Sequence, residues 1–216
     1  MSLSFSADGR YLAAQMCEPE FLLCYYAWEK GKAIATIASA PSGYTGKIRQ
    51  ILINPFDATE ISVIGDGLFK IFRYSEGVLR AIRTSCPISD FNSHVWLQNN
   101  GIALGTADGR IFITLDGALI QQLDFSRNLA INSIVNLANG FVAAGANGTI
   151  VLYAQLFQDV RKDGYEIKRR IQFPEQELNI QTVTANASFS NMIITSDKNE
   201  IFRISLEEDV NRKVNF

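Results

Sequence analysis

The stretch Gly105-Thr-Ala-Asp-Gly-Arg-Ile-Phe-Ile-Thr-Leu-Asp-Gly117 decides how the chain is read. Its Asp108-Gly109 pair lies between two β-prone runs, and a two-residue turn with positive φ matches the twist of strands on either side of it. The same plan returns at Gly65-Asp-Gly-Leu-Phe-Lys-Ile-Phe, Gly145-Ala-Asn-Gly-Thr-Ile-Val-Leu and Ser196-Asp-Lys-Asn-Glu-Ile-Phe-Arg. Each copy has a small residue, a turn of Asp, Asn, Lys or Gly, and then an apolar strand. Upstream of each turn lies another short strand, ISVIGD, IALGTA, FVAAGA and MIITSD, and YLAAQM at 11–16 is a fifth.

A further turn precedes each of those strands, and its anchors Asp57, Asn100, Gly140 and Asn191 recur at roughly 40 to 50 residues, a period that, with about four strands per unit, marks propeller blades. The expected fold is all-β, made of β-propeller blades, which the resemblance given below makes WD-repeat-like: four blades plus most of a fifth, in an incomplete or open ring. Their approximate bounds are 1–40, 46–85, 93–126, 130–173 and 179–207. In the third unit, strands are expected near 94–98, 102–107, 110–116 and 118–125, the last being the most polar because it meets water. Runs such as IFITL and TIVLY are apolar on both faces, as face-to-face stacking of blades requires. A helical reading fails, since β-branched and aromatic residues crowd windows that glycines interrupt every few positions.

The 216 residues, 47% hydrophobic and 19% charged, suffice for a real core. A net charge of -2 supplies no global attraction to nucleic acid or an anionic membrane. Cys17, Cys24 and Cys86 show neither paired spacing nor a zinc pattern, which reads as a reducing, intracellular setting. The opening residues lack the apolar run of a signal peptide, and no run has the length of a spanning helix.

LSFSADGRYLAAQ and YAWEKGKAIATI resemble a WD-repeat blade, with an Asp-Gly turn, an aromatic-rich third strand ending in Trp28-Glu29, and Gly31 turning into the fourth. Together with GDGLFKIFRYSEGVLR and SHVWLQNNGIALGTADGRIFI, these phrases resemble the cilia- and flagella-associated protein 57 family of axonemal WD-repeat proteins. The resemblance covers most of residues 2–116 and continues more loosely to ITSDKNEIFRISL. No Gly-His pair opens the blades, and Trp-Asp is replaced by Trp28-Glu29, Phe72-Arg73 or Tyr153-Ala154, so the hydrogen-bond tetrad of regular WD blades is not reconstructed. Members of that family carry two propellers and a coiled-coil tail. A fragment, or a ring completed by another chain or a missing segment, is therefore expected.

Catalysis finds little support. His94 is the sole histidine, and Asp90 and Ser93 neighbour it only in sequence. The innermost strands INSIVNL and IQTVTANA offer Asn and Gln but no carboxylate pair, which weighs against a propeller hydrolase. Gly65-Asp-Gly lacks the following helix of a phosphate loop, so no cofactor is expected. Arg161, Lys162, Lys168, Arg169 and Arg170 form the densest basic patch, suited to tubulin's acidic surface or RNA, but acidic residues interleave and a solvated outer strand is the favoured reading. The expected protein-interaction face is built from hairpin turns near Asp66, Asp108, Asn147 and Lys198 with the loops at 40–46 and 86–93.

What the resemblance implies is a non-catalytic interaction scaffold of motile cilia or flagella that docks or regulates inner dynein arms. Its implied partners are axonemal proteins, including inner dynein arm components and tubulin. A cytosolic WD-repeat scaffold in translation or trafficking is the alternative.

Overall fold

The structure is a computed structural model that describes residues 2–156, 164–173, 178–186, 188 and 190–205, and the backbone of 211–213. Among these residues the chain forms five four-stranded antiparallel sheets, each a meander in chain order. Sheet 1 holds β1 (Ser2–Phe5), β2 (Tyr11–Gln15), β3 (Leu22–Ala27) and β4 (Lys32–Ala38). Sheet 2 holds β5 (Ile48–Ile53), β6 (Glu60–Gly65), β7 (Leu68–Ser75) and β8 (Val78–Ile82). Sheet 3 holds β9 (Phe91–Trp96), β10 (Gly101–Thr106), β11 (Arg110–Leu115) and β12 (Ala118–Asp124). Sheet 4 holds β13 (Ile131–Leu137), β14 (Gly140–Gly145), β15 (Thr149–Gln155) and β16 (Tyr165–Gln172). Sheet 5 holds β17 (Ile180–Ala185), β18 (Asn191–Ser196), β19 (Ile201–Ser205) and β20 (Asn211–Lys213).

Consecutive sheets pack face to face because their middle strands are apolar on both sides. Leu23 and Tyr25 of sheet 1 meet Ile51, Val63 and Phe72 of sheet 2. Ile64 and Ile71 then meet Phe91, Ile102 and Phe112. Ala103 and Ile113 meet Phe141, Ala143 and Val151, and Val142, Ala144 and Leu152 meet Met192, Ile194 and Phe202. Five sheets joined by four such interfaces do not close: sheets 1 and 5 each keep one face that no other described sheet covers. Small residues sit where the second strands approach most closely. At Gly105 an added Cβ would stand 2.7 Å from the Ile131 side chain.

The first strands β1, β5, β9, β13 and β17 touch one after the next. Each carries a polar residue opposite the fifth residue of its second strand: Ser2, Gln50, Ser93, Ser133 and Thr182. In sheets 1, 2 and 4 that side chain accepts the backbone N–H of the following first strand, one register position on. Ser2 Oγ takes Ile51 N–H at 3.2 Å, Gln50 Oε1 takes His94 N–H at 2.9 Å, and Ser133 Oγ takes Val183 N–H at 3.0 Å. Ser93 holds the same place in sheet 3, with its buried Oγ unpartnered. An edge strand needs such acceptors, since its outward N–H groups have no ladder partner.

Two details depart from the sequence reading. The first strand of sheet 3 begins at Phe91 and ends at Trp96, because a bulge passes over Asn92 and lets Thr106 pair with Phe91. Trp28 does not end a strand. It opens a 3-10 turn, half exposed, with its indole N–H donating to Gly9 O.

Buried rings at the interfaces carry the packing energy. Phe141 is fully buried, stacked on Tyr153 at 4.8 Å and edge-on to Tyr165 at 5.2 Å. Phe141→Ala is expected to lower unfolding free energy by about 3–5 kcal/mol in urea titration, whereas Phe56→Ala, at a 56% exposed turn position, changes it by less than about 0.5 kcal/mol.

Candidate interaction face

In an antiparallel meander the turns between second and third strands and the sheet-to-sheet connections emerge on the same side. Asp66, Asp108, Asn147 and Lys198 occupy that turn in sheets 2 to 5, so the fold places all four on one face of the stack. The connections carrying 40–46 and 86–90 join them there: Gly67 N–H donates to Ser89 O, and Ala107 N–H to Asp90 O. Residues 91–93 belong instead to β9.

The acidic members of this face are occupied by the fold itself. Asp66 Oδ2 accepts Lys47 N–H at 3.0 Å and Oδ1 accepts Arg49 Nε–H at 2.9 Å, while Asp66 N–H returns to Lys47 O. Partial burial pushes its pKa upward, but these hydrogen bonds outweigh it and hold the carboxyl below the ordinary range. Asp108 accepts both Arg110 Nε–H and Thr106 Oγ–H, the Arg110 bond being the chief reason that its pKa is lowered. Asp197, beside Lys198, repeats the Asp66 arrangement by accepting Asn179 N–H and Nδ2–H. Asn147 takes a left-handed backbone, φ 60°, and accepts Gln172 Nε2–H on its carbonyl. Sequence reasoning placed these residues on a shared face but did not foresee that Asp66, and Asp197 beside Lys198, tie the start of a first strand to the turn, while Asp108 braces the turn itself.

Apolar groups on the same face are open. Ile88 is 86% exposed and Met16 is 45% exposed. A cavity of about 380 Å³ lies between the Met16–Phe21 turn and the start of β5, lined by Met16, Phe21 and Ile48 with Gln15, Glu18 and Lys47. On the opposite side, Glu60 is buried and paired with Arg73, and Asn54 donates to its second oxygen.

His94 does not meet Asp90 or Ser93. Its Nδ1–H donates to Gln50 Oε1 at 2.9 Å, and Ser62 O–H donates to its Nε2 at 2.6 Å. Ser, His and an oxygen acceptor thus line up as in a nucleophilic triad, yet the acceptor is a neutral amide, which stabilises no imidazolium. Ser62 is 0% and His94 1% exposed, beyond reach of a substrate. The group is a clamp between sheets 2 and 3. Partners 32 and 44 residues away leave no signal in a single sequence.

Lys168, Arg169 and Arg170 lie on β16, the outermost strand of sheet 4, where Arg170 donates to Phe125 O; Arg161 and Lys162 lie outside the described residues. Among the described residues no group of three His, Cys, Asp or Glu side chains is placed to hold a metal, and no helix is long and apolar enough to cross a membrane.

Burial lowers the His94 pKa from 6.5 to about 3. Below about pH 6.5 the unfolded chain takes up a proton that the folded chain refuses, so stability falls as pH drops from there toward 3, by about 1.4 kcal/mol per pH unit. Denaturant titrations are expected to show little change near pH 7 and to approach that slope between pH 6 and 5, and His94→Gln, though less stable at pH 7, is expected to flatten it.

No protein-family model matches the chain. Its sequence is 22% identical to the cilia- and flagella-associated protein 57 of Mus musculus over 260 positions, covering 95% of this chain and 20% of that protein. The chain therefore spans about a fifth of the length of that relative. Its structure is similar to the β-propeller domain of Cps50 (Swd1) from Myceliophteria thermophila, with a TM-score of 0.80 at 14% identity, covering 98% of this chain and 71% of that one. At that identity the likeness shows the fold alone: the chain is an all-β series of WD-repeat-like propeller blades.

Proposed function

We propose that this chain is a protein-interaction scaffold of motile cilia or flagella that helps dock or regulate axonemal inner dynein arms. The observation that carries the reading is the match to a cilia- and flagella-associated protein across 95% of the chain, on a fold of stacked blades. Its only Ser–His pair among the described residues is sealed inside a blade interface, which favours binding over turnover.

The recognising surface is the face that gathers Asp66, Asp108, Asn147 and Lys198. Because the aspartates there are bonded to the fold, contact energy comes from the open apolar groups, chiefly Ile88, with Lys198 at the rim. The partners are axonemal proteins, inner dynein arm components and tubulin among them.

Imaging the tagged chain in a ciliated or flagellated cell before and after detergent extraction tests the reading. Signal retained along the axoneme is expected, and a diffuse, extracted signal would point to a cytosolic scaffold instead. Ile88→Asp is expected to weaken axonemal retention at least tenfold while shifting unfolding free energy by less than about 0.5 kcal/mol, as suits an exposed site; retention equal to the unaltered chain removes this face from consideration.

A further inference from the structure

Of the four described interfaces between consecutive sheets, the one between sheets 1 and 2 is open at the end that carries the turns between second and third strands. Phe91, Ile131 and Ile180 begin the first strands of sheets 3, 4 and 5 and are at most 1% exposed. Ile48 holds the same register place in sheet 2 yet is only partly buried, and the cavity of about 380 Å³ lies beside it. The turn after β2 spans 16–21, longer than its counterparts at 66–67, 107–109, 146–148 and 197–200, and its two ends frame the cavity.

One wall of the cavity is out of keeping with its place. Gln15 lies opposite Ser2, whose Oγ accepts from Ile51 in sheet 2, so its side chain points toward sheet 2 and the cavity. The same place holds Ile64, Gly105 and Ala144 at the other three interfaces, so the packing of sheets does not call for an amide there. Gln15 is 2% exposed; its Nε2–H donates to Met16 O, and its buried Oε1 meets no donor. An acceptor left in that state costs part of a hydrogen bond's worth until a donor arrives. The remaining walls are apolar and braced. Phe21 is buried, edge-on to Tyr44 at 5.3 Å, and its carbonyl accepts both the N–H and the O–H of Ser39. Met16 and Ile48 complete the lining, while Lys47 and Glu18 stand exposed at the rim with opposite charges, which favours a neutral occupant.

We infer that this cavity is a socket for a tryptophan side chain of a partner protein, the indole N–H donating to Gln15 Oε1. The inference rests on the reading of the chain as an interaction scaffold and names the group that the scaffold takes. An indole is apolar and neutral and carries one donor and no acceptor, which is the complement of this lining. The Met16 thioether and the Phe21 ring both pack well against an aromatic. A turn of the Gln15 amide about its last torsion, which is broad in glutamine, presents Oε1 to the cavity. Trp96 makes the same kind of pairing within the fold: it is 2% exposed between sheets 2 and 3, with its indole N–H on Leu52 O at 3.4 Å.

The test titrates the chain with N-acetyl-tryptophanamide and with its benzothiophene analogue, in which sulfur replaces the N–H and the shape is kept, following the Gln15 side-chain amide and the Ile48 methyl groups by NMR. Saturable shifts with the first probe are expected, with binding of the second weaker by at least about fivefold, because it leaves the acceptor unpaired. Gln15→Met, which keeps the length of the side chain and removes the acceptor, is expected to bring the two probes to equal affinity. Absence of shifts at these groups, equal binding of both probes by the unaltered chain, or a preference that survives Gln15→Met overturns the inference. Tighter binding of N-acetyl-tyrosinamide overturns the choice of indole. Where Gln15→Met does not fold, the two probes on the unaltered chain decide, since they differ in the donor and not in shape. The probes need no axoneme: a failed titration overturns the socket and leaves the ciliary reading, whereas a diffuse signal of the tagged chain in the cell overturns the ciliary reading and leaves the socket.

Discussion

Every first strand in this fold has an edge with no ladder partner, and the structure depends on how those outward N–H groups are satisfied. An unpaired N–H buried at an interface costs a large part of a hydrogen bond's worth. The chain meets this with a polar residue at one register position in each sheet, which in sheets 1, 2 and 4 hands an acceptor forward to the next. Packing of apolar faces alone fixes the distance between blades but leaves their sliding free. A Ser or Gln that must reach one particular N–H fixes that too. The His94 group adds to the constraint: Gln50 Oε1 accepts both the backbone N–H and the ring Nδ1–H of His94, and Ser62 closes the far side.

The close approach that makes these bonds possible also dictates the small residues beside them. At Gly65 an added Cβ would stand 2.2 Å from Lys47 O, and at Gly145 1.9 Å from Ala130 O. Both glycines end a second strand where the first strand carries a bulge, passing over Arg49 in sheet 2 and Asn132 in sheet 4. The extra residue is not wasted. Arg49 turns out to reach Asp66, and Asn132 reaches Ile180 O in the next sheet.

Much of this was legible in the sequence, and what was not has a physical reason. The turns and the doubly apolar strands are local patterns, so the blade-like repeat and the shared face of Asp66, Asp108, Asn147 and Lys198 can be read from spacing. Register cannot. Ser2, Gln50, Ser93, Ser133 and Thr182 are spread irregularly, at intervals that vary with turn and bulge length, and only strand pairing shows that they are equivalent. For the same reason His94 was set beside Asp90 and Ser93, its chain neighbours, when its bonds run across an interface. Trp28 misled in the opposite direction: an aromatic at the end of an apolar run reads as strand, but Gly31, left-handed at φ 58°, lets the chain turn immediately and leaves the indole at the surface.

On the face proposed for recognition, the groups that hold the fold differ from the groups left open. A carboxylate that already accepts two hydrogen bonds from its own fold is a poor docking contact, because a partner would have to compete with bonds that hold the turn. Asp66, Asp108 and Asp197 are of this kind. Ile88 is not: it lies in the 86–90 connection, 86% exposed, with its Cγ2 3.6 Å from where a Cβ on Gly67 would lie. Burying it against a partner gains apolar area without breaking any bond of the scaffold. The turns that carry these aspartates are thus held by their own hydrogen bonds, while the neighbouring connection keeps an apolar side chain open to solvent.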